Sequence, residues 1–514
     1  MLTTKEYSPD ITELSVSAWF YRNRTIAGFD NPARSLYVSI RELVENSLDA
    51  CEDERVLPEV SVFLKRVEEL EADLDVLSVG PEIFELVVKD NGKGMQRADI
   101  PILIGKMLTG TKFTLRQNRG TFGLGGSLAL LYGQVTTQEP IEVVTGRHGD
   151  EVGYRIVMKL DIDANQPIIL NEEIVEKSPY EKGTMVSYKL QGDWIRSKKR
   201  IIDYFSKTAI IVPYASLLFE TPDDEILTYD RLIDKLPIAP KEMRPHPRGI
   251  DVELLKNMIN VTRAKTMKAF MKNSFQRVGN SIAEEFLAYS KMNPGGNPSD
   301  LEYEELVTLM NSLASFEKFL PPSSKSLSPA GIDVLAAGVK RLSPDFSVFK
   351  QRSPNVHEGH PFIVETGVAY GGNLDSGINV YRFANRIPLL YDERSDVTFR
   401  VVRNLNLKNY GLCKEDPLAF VMHICSTKVP YKTVGKEYIA DVDIIRKEIA
   451  LGFKDCLREI GVKVRKRDRV HKQRKRENRL SEYYYMMAAT LSSALKKDVD
   501  CSTLFDFGRG GLNE

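Results

Sequence analysis

The stretch NPARSLYVSIRELVENSLDA, residues 31–50, decides the fold and predicts a single helix. Asn31 is a typical N-cap, and Pro32 suits the first helical position because its missing N–H has no acceptor within the helix. Side chains three, four or seven positions apart share a helix face. The polar residues that do so are Glu42, Asn46 and Asp49, and the apolar ones are Leu36, Ile40 and Leu43. Alone, this pattern is typical of an amphipathic helix with a solvated face, so its function depends on the residues that follow.

The length and charge of the chain set broad limits. A chain of 514 residues is too long for one hydrophobic core, and typical domain lengths suggest about three domains. Lysine plus arginine balance aspartate plus glutamate at 71 each, so the molecule has no overall field that attracts polyanions. Any contact with nucleic acid must therefore come from local basic patches.

The cysteines and the hydropathy indicate the compartment. The five cysteines are scattered and never in C-x-x-C spacing, which argues against a disulfide framework or a zinc ribbon and predicts reduced thiols. The first residues, MLTTKEYSPDITELS, contain no basic region followed by an apolar run, and no segment is apolar for long enough to span a bilayer. We therefore expect a cytoplasmic protein without membrane association.

Two strand patterns follow the helix. Residues 60–65 alternate between apolar and polar side chains, and residues 84–89 are apolar and β-branched. The second strand leads into Asp90 and the sequence DNGKGM, in which a carboxylate at a strand end precedes two glycines. This arrangement puts a hydrogen-bond acceptor beside backbone that a ligand can approach closely, although a plain DNG turn explains the residues equally well.

A glycine-rich loop precedes the next predicted helix. The sequence TGTK at 109–112 is followed by RGTFGLGGS at 119–127 and then by the apolar LALLYGQ. Glycines ahead of a helix N-terminus expose backbone N–H groups and the positive end of the helix dipole, which suits a phosphate. No Gly-Lys-Ser/Thr closes the loop, so it is not a Walker A loop. Strand patterns at 141–145 and 154–160 then lead to Gly183 and Thr184, and residues 210–214 (IIVPY) are predicted to close the sheet.

The ordered motifs ELVENSLDA, DNGKGM, RGTFGLGGS and GT resemble the ATPase domain shared by gyrase, the Hsp90 chaperones, histidine kinases and the MutL repair proteins. The resemblance implies a two-layer α/β sandwich of the Bergerat type that binds ATP and Mg²⁺. A histidine kinase does not fit, because that class carries a phospho-accepting histidine ahead of the ATPase domain and no histidine precedes His148.

The resemblance also implies roles for residues. In that family the glutamate activates the attacking water, the asparagine ligates magnesium and the aspartate of the second motif hydrogen-bonds the adenine amino group. The matching residues are Glu42, Asn46 and Asp90. The matching ATP lid consists of Gly120, Thr121, Phe122, Gly123, Leu124, Gly125, Gly126 and Ser127. Thr184 would support the adenine end, and Thr111 and Lys112 would reach the nucleotide beside the lid. Phosphoryl transfer depends on positioning and charge neutralisation, which such groups supply.

The middle of the chain predicts a helical insert. A proline-punctuated link at 237–249 leads to the helical patterns VELLKNMI, AKTMKAFMKNSF and SIAEEFLAYS. Its sequence RPHPRG resembles the start of the helix-two-turns-helix insert of the topoisomerase VI B subunit. A helical spacer explains the composition, but five basic residues without intervening acids also form a candidate patch for phosphates: Arg263, Lys265, Lys268, Lys272 and Arg277.

The last third predicts strands at 362–370 and 420–425, an arginine- and aromatic-rich strand and turn at 380–391, and a long helix from 441 to about 467. The sequences YRFANRIPLLYD and STKVPYKTVGKE resemble the transducer of the topoisomerase VI B subunit, and the resemblance covers roughly residues 17–467. In that family a transducer lysine reaches the γ-phosphate. The matching residue is Lys428, which is thus a candidate for catalysis and nucleotide binding. A surface lysine at a strand end is the usual interpretation of such a residue, but the resemblance outweighs it because a lysine recurs in the equivalent loop of gyrase.

A basic tail follows the predicted long helix. Residues 463–479 contain ten lysines and arginines, and an aromatic and apolar stretch follows at 483–495. A solvated helical face explains this run. Contact with DNA and docking to a partner protein also explain it, and the sequence does not rank these two functions.

Together these patterns predict an α/β and α+β multidomain protein. Its segments are an ATPase domain (1–235), a helix-two-turns-helix domain (236–315), an α/β transducer domain with a long helix (316–470) and a basic tail (471–514). The resemblance implies the B subunit of a type IIB DNA topoisomerase, in which ATP binding dimerises two copies of the chain around duplex DNA. The partner A subunit would carry the cleavage tyrosine in an A2B2 heterotetramer. A MutL- or Hsp90-like ATP-dependent clamp and a binding module without ATPase activity are the alternatives.

Overall fold

In a computed structural model, the described residues form two sheets with their accompanying helices and an intervening helical domain. The structure describes residues 15, 18, 22–67, 81–107, 116–120, 125–178, 181–248, 250–320, 323, 325–391, 393–432, 436–495 and 498–500. Thr111, Lys112 and residues 121–124, for which the resemblance implies contact with nucleotide, lie outside the described residues.

The first sheet has eight strands in the order β5-β4-β3-β6-β2-β1-β7-β8. Its strands are β1 Glu59–Arg66, β2 Glu82–Asp90, β3 Ile141–Gly146, β4 Val152–Asp161, β5 Gln166–Glu176, β6 Gly183–Gly192, β7 Ser216–Glu220 and β8 Ile226–Tyr229. Neighbouring strands are antiparallel except β1 and β7, which are parallel. Alternate side chains of β1 and β2 are buried, as expected where one face of a sheet packs against helices.

Among the described residues, four α-helices accompany this sheet: α1 Pro32–Asp53, α2 Ile100–Gly105, α3 Gly125–Thr137 and α4 Trp194–Ile211. The predicted helix start is confirmed, because the side chain of Asn31 accepts a hydrogen bond from the backbone N–H of Arg34 at 2.9 Å. The apolar stripe of α1 is buried, with Leu36 and Ile40 both 0% exposed. Since α1 packs against α3, α4 and β6, its polar residues are held beside the start of α3.

The predicted helical insert consists of α5 Val252–Val261, α6 Met267–Ser274, α7 Asn280–Tyr289 and α8 Tyr303–Ser315. Its helices surround a hydrophobic cluster of their own, which extends from Ile250 to Phe319. Phe270 and Phe286, both 0% exposed, lie in this cluster. The insert therefore has a core separate from those of the two sheets.

The second sheet has the strand order β10-β11-β14-β12-β13, with β9 also paired to β11. Its strands are β9 Phe346–Gln351, β10 Asn355–His357, β11 His360–Tyr370, β12 Ile378–Ala384, β13 Ile387–Pro388 and β14 Leu418–Ser426. The accompanying helices are α9 Ile332–Val339, α10 Val397–Arg403 and α11 Asp443–Leu495.

Both faces of this sheet are covered, since every residue of β11 and β14 is buried. Alternate side chains of β14 join different cores. Phe420 and Met422 pack in the cluster that contains the first half of α11, whereas Ala419 and Val421 join the core of the first domain. The second sheet therefore packs directly against the domain that contains α1.

The structure departs from the sequence prediction in several details. Ile210 and Ile211 end α4 instead of forming a strand, because the buried face of this helix is as apolar and β-branched as a strand. The edge strand β5 was not predicted, since its apolar residues 168–170 are consecutive and exposed. Helix α11 continues far beyond residue 467 to Leu495, because no glycine or proline follows Gly461 within it and lysine, arginine and glutamate favour helix. Among the described residues, no helix is both long enough and apolar enough to cross a membrane.

Candidate active site

The polar face of α1 meets the first turn of α3. Glu42 is 8% exposed, and Asn46 is open to solvent. A Cβ atom on Gly125 would lie 1.7 Å from Oε2 of Glu42, and one on Gly126 would lie 2.7 Å from Nδ2 of Asn46. Only glycine allows this approach, so the end of the glycine loop lies directly against both predicted site residues. Two motifs that are far apart in sequence thus form one surface, with Ser127 buried behind it.

Arg41 orients the carboxylate of Glu42. Its Nη2 donates to Oε1 of Glu42 at 2.6 Å, and its Nε lies 3.4 Å from Oε1 of Glu45. Burial disfavours the guanidinium charge, but Glu42 and its neighbours outweigh this effect and hold the pKa of Arg41 above its ordinary value. Burial also raises the pKa of Glu45 to about 7, against the opposing effect of Lys436. The buried arginine therefore fixes Glu42 with its second oxygen directed towards the glycine loop.

Asp90 marks the other end of the site. Its carboxylate accepts hydrogen bonds from the hydroxyl of Ser47 at 2.9 Å, from the backbone N–H of Gly92 at 2.9 Å and from the backbone N–H of Thr184 at 3.2 Å. Burial raises the pKa of Asp90, and the three donors partly oppose that rise. Because Ser47 lies on α1 and Thr184 on β6, this carboxylate joins three of the predicted motifs.

Thr145 on β3 was missed by the sequence analysis. Its hydroxyl donates to the carbonyl of Gly183 at 2.9 Å, accepts from the backbone N–H of Met95 at 3.0 Å and lies 3.0 Å from the hydroxyl of Thr184. A Cβ atom on Gly94 would lie 2.2 Å from the carbonyl oxygen of Gly146. The loop after β2 therefore packs tightly on β3, and two threonine hydroxyls lie next to the Asp90 end of the site.

The stem of the glycine loop is tied to the last turns of α1. The side chain of Arg119 is 1% exposed and donates to Asp49 at 2.8 Å and to Glu52 at 2.5 Å. Asp49 was predicted only as part of the polar stripe. Arg119 and Glu52 were not singled out, although an arginine beside a glycine loop and an acid three residues after Asp49 are visible in the sequence. Gly120 follows Arg119, and a Cβ atom there would meet nothing within 4 Å.

The structure does not bring Lys428 to this site. Its side chain is 60% exposed, and its ammonium lies 3.5 Å from the carboxylate of Glu358 at the surface. Instead, Lys436, eight residues further along the same loop, is 8% exposed. Its Nζ donates to the carbonyl of Arg119 at 2.9 Å and lies 3.5 Å from Glu45. Among the described residues of this loop, Lys436 therefore reaches α1, and the nucleotide contact of Lys428 stays a prediction.

These residues fit a nucleoside triphosphate with Mg²⁺. Magnesium is usually held by one or two protein oxygens together with phosphate oxygens and water. Asn46 is exposed and carries an amide oxygen, and the described part of the chain contains no cluster of three or more His, Cys, Asp and Glu that could hold a metal by itself. The metal would therefore rely on phosphate oxygens. The N-terminus of α3, which lies against Glu42 and Asn46, suits phosphate through the backbone N–H groups of its first turn.

The chain is similar along most of its length to known proteins. The B subunit of type 2 DNA topoisomerase 6 from Metallosphaera sedula is 39% identical over 486 residues, which cover 94% of this chain and 90% of that relative. The protein of the same name from Saccharolobus islandicus is 40% identical over 459 residues, covering 88% and 84%. Residues 322–476 match the family described as topoisomerase VI B subunit, transducer.

Solved structures of other type II topoisomerases are more distantly similar. The ATPase domain of Thermus thermophilus gyrase B, in complex with an aminocoumarin, covers 94% of this chain and 98% of its own at 12% identity, with a TM-score of 0.41. The gyrase B protein of Myxococcus xanthus covers 87% and 95% at 10% identity, with a TM-score of 0.43. On the identity and coverage of its sequence relatives, the chain belongs to the family of B subunits of type 2 DNA topoisomerase 6.

Proposed function

We propose that this chain binds and hydrolyses ATP, with Mg²⁺ as its cofactor, as the B subunit of a type IIB DNA topoisomerase. One observation carries the assignment of the site. The glycines that open α3 lie against Glu42 and Asn46, while the buried carboxylate of Asp90 lies at the other end of the same surface. Family membership supports the reaction, since the relatives are named as topoisomerase subunits.

Glu42 is the proposed general base. Its carboxylate accepts the proton of the water that attacks the γ-phosphate, while Arg41 holds it in place through Oε1. A magnesium ion on Asn46 neutralises phosphate charge when it is bound. The backbone N–H groups in the first turn of α3, which begins at Gly125 and Gly126, are the proposed donors to the phosphates.

Asp90 is proposed to recognise adenine. Three donors from the protein bind and orient the carboxylate of Asp90. An ionised carboxylate can only accept hydrogen bonds, so Asp90 remains an acceptor towards a ligand. The exocyclic amino group of adenine is a donor, so it matches this acceptor. Thr184 and Thr145 then lie beside the base, where their hydroxyls can donate or accept.

Lys436 is proposed to take the role that the sequence predicted for Lys428. It is the lysine whose ammonium is buried between the stem of the glycine loop and α1. Glu437, next to it, pairs with Arg34 near the start of α1, so the loop before α11 is anchored at two points on that helix. A γ-phosphate beside Glu42 would compete with Glu45 for the Lys436 ammonium. The nucleotide state would thereby be sensed by the second sheet.

ATP binding is proposed to bring two copies together around duplex DNA, with a partner A subunit in an A2B2 heterotetramer performing DNA cleavage in the cytoplasm. Since the net charge is zero, DNA contacts must come from local patches. One such groove on α11 is lined by Lys472, Lys475, Arg476, Arg479, Leu480 and Tyr483. Its basic and aromatic lining suits either DNA or the A subunit.

Reconstitution tests this function. The chain is mixed with the A subunit of the same source, supercoiled plasmid, Mg²⁺ and ATP, and relaxation is followed on agarose gels. The proposed function predicts relaxation that requires both subunits and hydrolysable ATP. ATP turnover without relaxation or decatenation by any cognate pair would instead indicate an ATP-dependent clamp of the MutL or Hsp90 kind.

A further inference from the structure

Glu45 is a buried carboxylate of α1 that takes no part in the proposed proton transfer. Its side chain is 4% exposed, and it lies one helical turn after Arg41, so the two residues share a helix face. Oε1 of Glu45 lies 3.4 Å from Nε of Arg41, and Oε2 lies 3.5 Å from Nζ of Lys436. Within the described part of the chain, neither oxygen accepts a hydrogen bond. Glu45 therefore acts on both cations through its charge and its position.

The guanidinium of Arg41 lies between two carboxylates. Its Nη2 donates to Oε1 of Glu42 at 2.6 Å, while its Nε faces Glu45. The ring of Tyr37 lies on a further side, with its centroid 5.7 Å from Cζ of Arg41. The side chains of Arg41 and Glu42 are 6% and 10% exposed, so solvent screens these charges only weakly. Arg41 thus meets Glu42 at Oε1, and the other oxygen, Oε2, faces Gly125.

An isolated arginine and carboxylate favour a different arrangement. The guanidinium is a planar fork, and two of its N–H groups can bind both oxygens of one carboxylate in parallel. In that arrangement both oxygens of Glu42 would accept from Arg41, and Oε2 would turn away from the start of α3. A general base must have an oxygen within hydrogen-bond distance of the attacking water. The two-pronged pair would therefore make Glu42 a poorer base, although it is the stronger ion pair.

We propose that Glu45 is a positioning residue for the base. Because it attracts the Nε side of the Arg41 guanidinium, it keeps Arg41 from binding both oxygens of Glu42 and leaves Oε2 directed towards the phosphate end of the site. This inference rests on the proposed ATPase function. It concerns three side chains of one helix that orient the base, so the expected effect is on the chemical step and not on the binding of nucleotide.

The kinetic test is steady-state ATP hydrolysis by the full-length parent and by Glu45→Gln, since glutamine keeps the shape of glutamate but removes its charge. The assay is run at about pH 8, because burial raises the pKa of Glu45 to about 7 and the carboxylate must be charged. We expect kcat to fall about tenfold, a part of the roughly 10²- to 10⁴-fold that a general base supplies, while KM stays within about twofold. As a matched control, Glu82→Gln removes the partner of Arg66 at the surface and should change neither constant.

A second substitution separates this role from a general effect of charge. Lysine carries a single ammonium, which cannot form the two-pronged pair. In the Arg41→Lys background, Glu45→Gln should therefore change kcat by less than about twofold. Lys436 is present in both backgrounds, so an effect that acts through Lys436 would persist in both. An equal fall of kcat in the parent and in the Arg41→Lys background would overturn the positioning role.

A crystal structure of Glu45→Gln gives the direct readout. We expect Arg41 to bind both oxygens of Glu42 in this variant, and a structure in which Oε2 still faces Gly125 would overturn the inference. If Glu45→Gln does not fold, Glu45→Asp keeps the charge but ends about 1.5 Å further from Arg41, so kcat should fall in the same direction with KM unchanged. A folded variant with the parental kcat would likewise overturn it. Failure of the parent to hydrolyse ATP would overturn the proposed function itself and is recognisable before any variant is made.

Discussion

Replacement of Gly125 by alanine tests the contact between the glycine loop and the proposed base. The added Cβ atom would lie 1.7 Å from Oε2 of Glu42. Ordinary contact needs about 3.5 Å, so the carboxylate and the start of α3 must separate by roughly 1.8 Å. A misplacement of about 1 Å can cost 10²-fold in rate, so we expect kcat to fall at least about 100-fold, equivalent to roughly 2.7 kcal/mol.

The assay is steady-state ATP hydrolysis at saturating Mg²⁺, combined with thermal unfolding. Alanine is a better helix former than glycine by up to about 1 kcal/mol, so the variant should remain folded while it loses turnover. The control is Gly295→Ala in the helical insert, where the added atom meets only Oδ1 of Asn293 at 3.6 Å and where turnover should be unchanged. A Gly125→Ala variant with parental kcat would refute the contact between Gly125 and Glu42.

Three further predictions concern other residues. Lys436→Ala should lower the rate of ATP hydrolysis and its coupling to strand passage, because it removes the lysine beside Glu45. Lys428→Ala removes only a surface ion pair and should change neither quantity. The reverse result would assign the phosphate-sensing role to Lys428. Asp90→Asn should weaken ATP binding by about tenfold or more, because the new amide can present a donor to the adenine amino group; unchanged affinity in calorimetry would remove Asp90 from adenine recognition. Burial lowers the pKa of His360 from 6.5 to about 4, so the unfolded chain binds more protons between these values and stability falls as the pH falls through this window. Between pH 6.5 and 4 the free energy of unfolding of His360→Gln should fall less than that of the parent, by up to about 3 kcal/mol. The same pH profile for both proteins would show that His360 does not cause the loss of stability.

Local signals in the sequence predict much of the first domain. The Asn31 cap, the spacing of Leu36 and Ile40 and the carboxylate at the end of β2 each depend on a few neighbouring residues, and these features are present in the structure. The conformation of these elements is set by residues that lie within one or two helical turns of each other in the sequence.

Contacts between distant segments were not predictable in this way. Lys428 and Lys436 are both lysines of one loop, and only the packing of the second sheet against α1 decides which of them is buried at the site. Glu52 gives no sign in the sequence that two arginines from different domains share its carboxylate. Residues 210–211 have the composition of a strand, but tertiary packing places them at the end of α4.

The central claim is that Glu42 is the base of an ATPase site, and the most direct test is the Glu42→Ala variant. Hydrolysis of ATP and binding of the β,γ-imido analogue are measured on the same preparation. We expect hydrolysis to fall by about 10²- to 10⁴-fold, the usual contribution of a general base, while nucleotide binding and nucleotide-dependent dimerisation persist. Turnover of ATP by Glu42→Ala at the parental rate would contradict the account.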